Sequence, residues 1–316
     1  MLNPLRIFFL VLFIVLVATM VIVQTLVPKK PFTLTTLPDS LSLKKVERPV
    51  NDLSDDLFKP VPVPGPHDWL YSRKEKKETV EQFINKKRNV PDTNRRVIYL
   101  QPIWMNDTVL LVKLKRFTER YFSMTVEIAE NLNPPKDSFD FRTNPNTRKV
   151  QAHAGLLLEY LISKVPDDAF CVQAITPVDL YPEESWNYVF GYASYYDRVA
   201  VFSIARYDPL FFGKKRSEEY SADLLLRSCK VLAHETGHMF SMPHCVAFHC
   251  NMNGSNNLEE ADAQPLHLCP VCLAKLKISI GFDSRKRYQL LLGYYQAEGL
   301  NKQAEWMTRR IEQFSE

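Results

Sequence analysis

The residues best suited to chemistry sit together in the last third of the chain: His234-Glu235-Thr236-Gly237-His238, then His244. Four residues advance a helix by about 400°, so His234 and His238 face the same way, one turn apart. Two imidazoles at that spacing can bind one Zn²⁺ at about 2.0–2.1 Å. Glu235 adjoins the first ligand but points off the shared direction, so it can reach a metal-bound water without ligating. In a continuous helix His244 would sit about 600° round from His238 and roughly 9 Å further along. A third ligand there requires a sharp turn. Pro243 gives the helix a reason to end, because it disfavours α geometry at Met242. Ser241 lies in that turn; were positive φ needed there, glycine would adopt it freely and serine would pay about 1 kcal/mol.

A second cluster starts at the residue after His244. Cys245-x₄-Cys250 is followed by Cys269-Pro-Val-Cys272. Four thiolates paired this way suit a closed tetrahedral structural zinc. Cys-Pro-x-Cys at the start of a helix also lets the helix N-terminus stabilise thiolate charge. Two disulfides, or ordinary buried cysteines, are the bland alternatives. His249 and His267 are spare donors beside the cluster and are expected to be bystanders.

These side chains need a scaffold. Residues 222–240 are expected to form a long helix that buries Leu225, Cys229 and Leu232 on one side. Val97 to Trp104 has the apolar run of a buried strand, with Pro102 marking a sheet edge or a strand end. Residues 107–122 carry apolar side chains at helical spacing, and Met124 to Ile128 alternates like a strand. A short amphipathic helix over 154–164 precedes two β-rich runs, Phe170 to Ile175 and Arg198 to Ile204. Further helices are expected at 270–280, 284–297 and 301–314. Strands alternating with helices imply an α/β or α+β core.

The chain has 316 residues, 46% apolar and 24% charged, which excludes global disorder and multi-span membrane bundles. Its 40 basic and 36 acidic residues leave a net charge of +4, too small and too evenly spread to argue for nucleic acid. Only 9 glycines occur, and no glycine-rich phosphate loop is present. From Ile7 to Val23 every residue but Thr19 is apolar, and the stretch 7–27 has about 21 residues, roughly 30 Å of helix, which matches a bilayer core. It is therefore expected to be a single-pass membrane anchor of undetermined topology after a short tail, 1–6. A cleaved signal segment leading to a lumenal protein and a cytoplasmic protein are the alternatives. The cysteine usage leans the folded part toward a reducing compartment. Eight prolines over 28–66 mark a semi-rigid linker, with packed structure expected from about Asp68-Trp69 and a folded domain over 67–316.

Taken together, HETGHMFSMPHCVAFHCNM and the later LHLCPVCLAKL resemble the archaemetzincins, a metzincin-clan family of zinc metallopeptidases. DDAFCVQAITPVDLYPEESWNYVFGYAS and VFSIARY are similar to the same family, and the resemblance runs from about residue 55 to about 300. It implies a metzincin-like fold with an active-site helix and a C-terminal helical part carrying a structural zinc. It also implies His234, His238 and His244 on the catalytic zinc, Glu235 as general base, and Cys245, Cys250, Cys269 and Cys272 on the second zinc. Met252 would be the methionine that packs beneath the catalytic metal. Ser241 departs from the family's glycine, and the N-terminal apolar run is an addition to the pattern.

The expected function is a zinc peptidase acting on peptide or protein substrates, with an extended substrate paired to an edge strand. The competing reading is a non-catalytic, zinc-stabilised protein-interaction module. Tyr181, Trp186 and Tyr188 are aromatic candidates for a substrate pocket, with core packing the expected role of each.

Overall fold

The computed structural model describes residues 56–135 and 139–313. The expected tail, the apolar segment 7–27 and the linker as far as residue 55 lie outside the described residues. Among the described residues no helix is long and apolar enough to cross a membrane.

In chain order the elements begin with α1 (Trp69–Ser72), α2 (Val80–Asn85), β1 (Val97–Pro102), α3 (Thr108–Phe122) and β2 (Thr125–Ile128). Then come β3 (Phe141–Thr143), β4 (Val150–His153), α4 (Ala154–Ile162), β5 (Ala169–Thr176), β6 (Asp179–Tyr181), β7 (Gly191–Ser194) and β8 (Val199–Ser203). The rest is helical: α5 (Tyr220–Met239), α6 (Leu258–Ala263), α7 (Pro270–Ile280), α8 (Ser284–Ala297) and α9 (Asn301–Glu312). The mixed α/β architecture expected from the sequence is present.

The main sheet runs β2-β1-β5-β8-β7. Its first four strands are mutually parallel, and β7 closes one edge antiparallel to β8. Both faces are covered, which explains why every residue of β5 and β8 is buried. Alternate residues serve opposite layers. Ile98, Leu100, Ile175, Ala200 and Phe202 pack toward α3 and α5. Val172, Ala174, Val199 and Val201 pack toward α4 and the small sheet β3-β4-β6. Pro102 is the last residue of β1, an inner strand, so it marks a strand end and not a sheet edge.

α3 opens on Asp107, whose Oδ1 accepts from Leu110 N at 2.9 Å, and it closes on Ser123 in the left-handed region. α5 packs across β5, β8 and β7. It buries Leu225, Cys229 and Leu232 as expected, and much of its remaining surface besides.

Packed structure begins earlier than Asp68-Trp69. Leu57 and Phe58 are buried in the main core, Phe58 lies edge-on to Trp306, and Lys59 O accepts from His249 N at 2.8 Å. Proline density hid two large apolar residues that the C-terminal helical layer buries. Pro60 then bridges to Phe248, and residues 61–65 form neither helix nor strand.

Candidate metal centre and active site

α5 carries His234 and His238 one turn apart, with Nε2 atoms 3.0 Å apart. Ligands of one tetrahedral zinc stand about 3.3 Å apart, from Zn–N near 2.0–2.1 Å. The helix then ends. Ser241 adopts φ +63°, the left-handed conformation that the turn requires. Its hydroxyl accepts from Asn89 N at 3.0 Å, which offsets part of the conformational cost. The turn returns His244 to the other two: its ring centroid lies 5.2 Å from His234 and 5.0 Å from His238. One ligand atom from each histidine falls within 4.8 Å of the others.

Each imidazole is oriented from behind. His234 Nδ1 donates to Asn251 O at 2.8 Å, and His238 Nδ1 donates to Met242 O at 2.8 Å. His244 Nδ1 faces Glu75 Oε1 at 2.7 Å. A proton held at Nδ1 leaves the Nε2 lone pair for a metal. Burial, together with the neighbouring His244, pushes His234 down to about 3, and burial also holds His238 well below its ordinary value. Both are therefore neutral, the form that ligates. The donor set fits zinc.

Glu235 is 7% exposed and faces the same cavity, and burial pushes its carboxyl up to about 8. It is fitted against β7: a Cβ on Gly191 would stand 2.3 Å from Glu235 Oε1. Met252 is fully buried beneath the helix, where a Cβ on Gly237 would stand 2.5 Å from its Sδ.

The four clustered cysteines also converge, with their sulfurs within 4.8 Å of one another and Cys245 Sγ 3.7 Å from Cys269 Sγ. That is far beyond a disulfide and close to the roughly 3.8 Å between thiolates on one tetrahedral zinc. Cys269 caps α7 and accepts from Cys272 N at 3.4 Å, while Cys250 Sγ accepts from Cys269 N at 3.2 Å. Hydrogen bonds from Cys250, Cys269 and Cys272 hold the Cys245 thiol far below its usual range. His267 stays outside the cluster, stacked on Trp306 at 3.7 Å.

The model of Peptidase family M54 matches residues 143–278. A solved zinc-dependent peptidase from Methanocorpusculum labreanum is 26% identical, covering 57% of this chain and 99% of that one, at a TM-score of 0.48. Archaemetzincin-2 of Homo sapiens is 40% identical over 275 residues, 78% of this chain and 76% of that protein. Archaemetzincin-2 of Pongo abelii matches to the same extent, 40% over 275 residues. This chain belongs to the archaemetzincin family. Its reaction class is accordingly that of a zinc metallopeptidase, a hydrolase, and its substrates are peptides or proteins.

The three-histidine cluster opens into a cavity of about 610 Å³. Trp186 and Tyr188 line it, whereas Tyr181 is fully buried in the small sheet under the Arg142 guanidinium. Core packing, the role expected of all three, therefore applies to Tyr181, and the other two have cavity-facing surface. Three contributors escaped sequence reasoning. Glu75 and Trp69 reach His244 from a segment that reads as a charged, irregular stretch beside prolines. Tyr195 sits in the β7–β8 turn with its hydroxyl 2.9 Å from His238 Nδ1. No motif spacing signals any of them, because each arrives through the tertiary fold.

Proposed function

We propose that this archaemetzincin hydrolyses peptide bonds with His234, His238 and His244 holding the catalytic zinc and Glu235 acting as general base. The supporting observation is the convergence of three imidazoles, each oriented through Nδ1, beside a buried carboxyl in one cavity. Zinc bound there supplies an acidified water and polarises the scissile carbonyl. Glu235 takes a proton from the attacking water and delivers it to the leaving amine. Burial raises its affinity for that proton, and a cation at the adjacent histidines would act in the opposite sense. Met252 supports the histidine cradle from below.

The exposed edge of β7 is the surface for an extended substrate. Gly191, Tyr192 and Ala193 line the cavity, and β7 is bonded to β8 on one side alone. A peptide laid there would complete the ladder by main-chain hydrogen bonds. No observation favours the non-catalytic module. Cys245, Cys250, Cys269 and Cys272 would hold a second, structural zinc, making two ions per chain. Residues 67–316, with the packed stretch from Leu57, would form the peptidase domain. Residues 7–27 would tether it to a membrane through the proline-rich linker, as resistance of the full chain to alkaline carbonate extraction would test.

The deciding experiment is peptide-library cleavage by zinc-loaded protein, wild type beside Glu235→Gln. Cleavage by wild type alone, with equal zinc content in both, supports the assignment. Equal cleavage by both would overturn the role of Glu235. Loss of zinc from the variant would make Glu235 a ligand and not a base.

A further inference from the structure

Arg73 is the cation that peptide hydrolysis, as described, leaves without a task. Its guanidinium carbon lies 4.2 Å from the ring centroid of Trp69 and 4.5 Å from that of Trp186. All three residues line the cavity that holds the three histidines and Glu235. Trp69 also meets the His244 ring edge-on, with centroids 5.0 Å apart. One indole therefore separates the guanidinium from the metal-site histidine.

Stacking engages the flat faces of a guanidinium and leaves its five N–H donors in the plane. Among the described residues, none of the Arg73 side-chain donors has a hydrogen bond or an ion pair. Glu75 feels its charge, but Glu75 Oε1 is already engaged by His244 and by Trp69 Nε1 at 2.9 Å. The other cations lining the cavity are committed elsewhere. Arg227 is paired with Asp262 at 2.7 Å, and Lys230 donates to the carbonyls of Ala261 and Asp262 at 3.1 and 2.8 Å. Arg73 is thus a half-buried fork, held rigid by two aromatic faces, with its edge unoccupied in the substrate cavity. That is the arrangement that receives a carboxylate through two parallel hydrogen bonds at little ordering cost.

We propose that Arg73 selects substrates by binding a carboxylate of the peptide close to the scissile bond. The carboxylate is either an acidic side chain or the free C-terminus. This inference rests on the peptidase reading above.

The test uses the full-length, zinc-loaded protein and one peptide that it cleaves, prepared in matched forms. One arm replaces each flanking position in turn by Glu or by its neutral isostere Gln. The other compares a free C-terminal carboxylate with the amide. For wild type, a carboxylate in one arm should raise kcat/KM by about tenfold or more, the scale of a charge-assisted hydrogen bond, and that arm identifies the source. In Arg73→Gln the ratio should fall to near one. Arg73→Lys keeps the charge but loses the fork, and should retain only part of the preference. A purely structural clamp would behave differently: its loss would slow both peptides of a pair equally and leave the ratio intact. An unchanged ratio in Arg73→Gln, or no preference in wild type, overturns the proposal. Failure of zinc-loaded wild type to cleave any member of the library from which that peptide is drawn overturns the peptidase reading itself.

Discussion

Glu75 and His244 meet at 2.7 Å across 169 residues of sequence, and through this contact a segment outside the matched residues 143–278 reaches the three-histidine cluster. His234 and His238 are held by α5 and oriented by backbone carbonyls. His244 lies beyond the helix and has a side-chain carboxylate instead. Burial works to raise the pKa of Glu75; hydrogen bonds from His244 and Trp69, with the charge of Arg73, outweigh it and hold the carboxyl below its ordinary value. An ionised partner fixes the ring and strengthens Nε2 as a donor. Glu75→Ala should weaken zinc binding at the histidine site by about 10–100-fold, and Glu75→Gln by less, because its amide oxygen still accepts from Nδ1. Chelator-competition titration reads this directly. An unchanged affinity in Glu75→Ala would show that the turn alone orients His244.

The contact between β7 and α5 leads to a second prediction. Gly191 leaves a gap that the Glu235 side chain fills, with Cδ 2.6 Å and Cγ 2.7 Å from where a Cβ would stand. Gly191→Ala must therefore displace the Glu235 carboxyl, whose atoms are the nearest to the added Cβ. We expect kcat to fall by two orders of magnitude or more, the scale of general-base catalysis (about 10²–10⁴-fold), with zinc content unchanged. Steady-state kinetics beside metal analysis would check it. Retention of full kcat would mean that Glu235 is not needed where the structure holds it.

How much of this was legible depended on how local the signal was. The helix bearing His234 and His238, the strands β1, β5 and β8, and α7 through α9 were read within a few residues. Their periodicity, caps and breakers lie inside each segment. The edge strand β7 was missed because Gly191-Tyr192-Ala193-Ser194 has no apolar alternation, and its pairing partner β8 supplies the order. The small sheet was missed for the same reason, since its strands are three or four residues long. The pairing of His234 with His238 and the grouping of the cysteines followed from spacing, whereas His244 also needed the turn before Pro243. Glu75, Trp69, Arg73 and Tyr195 did not, because spacing along the chain carries no information about which distant loop folds over a site.

Ser241 stands where the resemblance places a glycine, which put the turn geometry in question; the structure gives it φ +63° and shows why a serine is tolerable there. Its hydroxyl accepts from Asn89 N, and Asn89 Nδ2 donates in turn to Met239 O at 3.1 Å. Ser241→Gly should relieve about 1 kcal/mol of left-handed strain and lose a hydrogen bond of about 1 kcal/mol, leaving stability nearly unchanged. Ser241→Ala keeps the strain and loses the bond. Urea unfolding should therefore rank alanine below glycine by about 1 kcal/mol. The reverse order would mean that the turn relaxes out of the left-handed region when the hydroxyl is removed.

The cysteine cluster and the histidine site share a short stretch of backbone. Cys245 follows His244 directly, Cys245 N donates to Met252 O at 2.7 Å, and Asn253 Nδ2 donates to Cys245 O at 2.6 Å. Leu57 and Phe58 pack in the same core as the four cysteines. A structural zinc there would fix the turn that presents His244, so its loss should be felt at both sites. Cys272→Ser removes the thiolate that is most distant in sequence from His244. Metal analysis should then find one zinc fewer. The melting temperature should fall by about 10 °C, on the basis of roughly 3–5 kcal/mol lost at about 2–4 °C per kcal/mol. The remaining zinc should also bind more weakly than in wild type, since the turn has lost its anchor. If wild type and Cys272→Ser both held one zinc per chain and melted at the same temperature, the four cysteines would be a packed thiol cluster and the peptidase would carry a single ion. If one zinc was lost but the other bound unchanged, the two sites would be energetically independent despite sharing His244-Cys245.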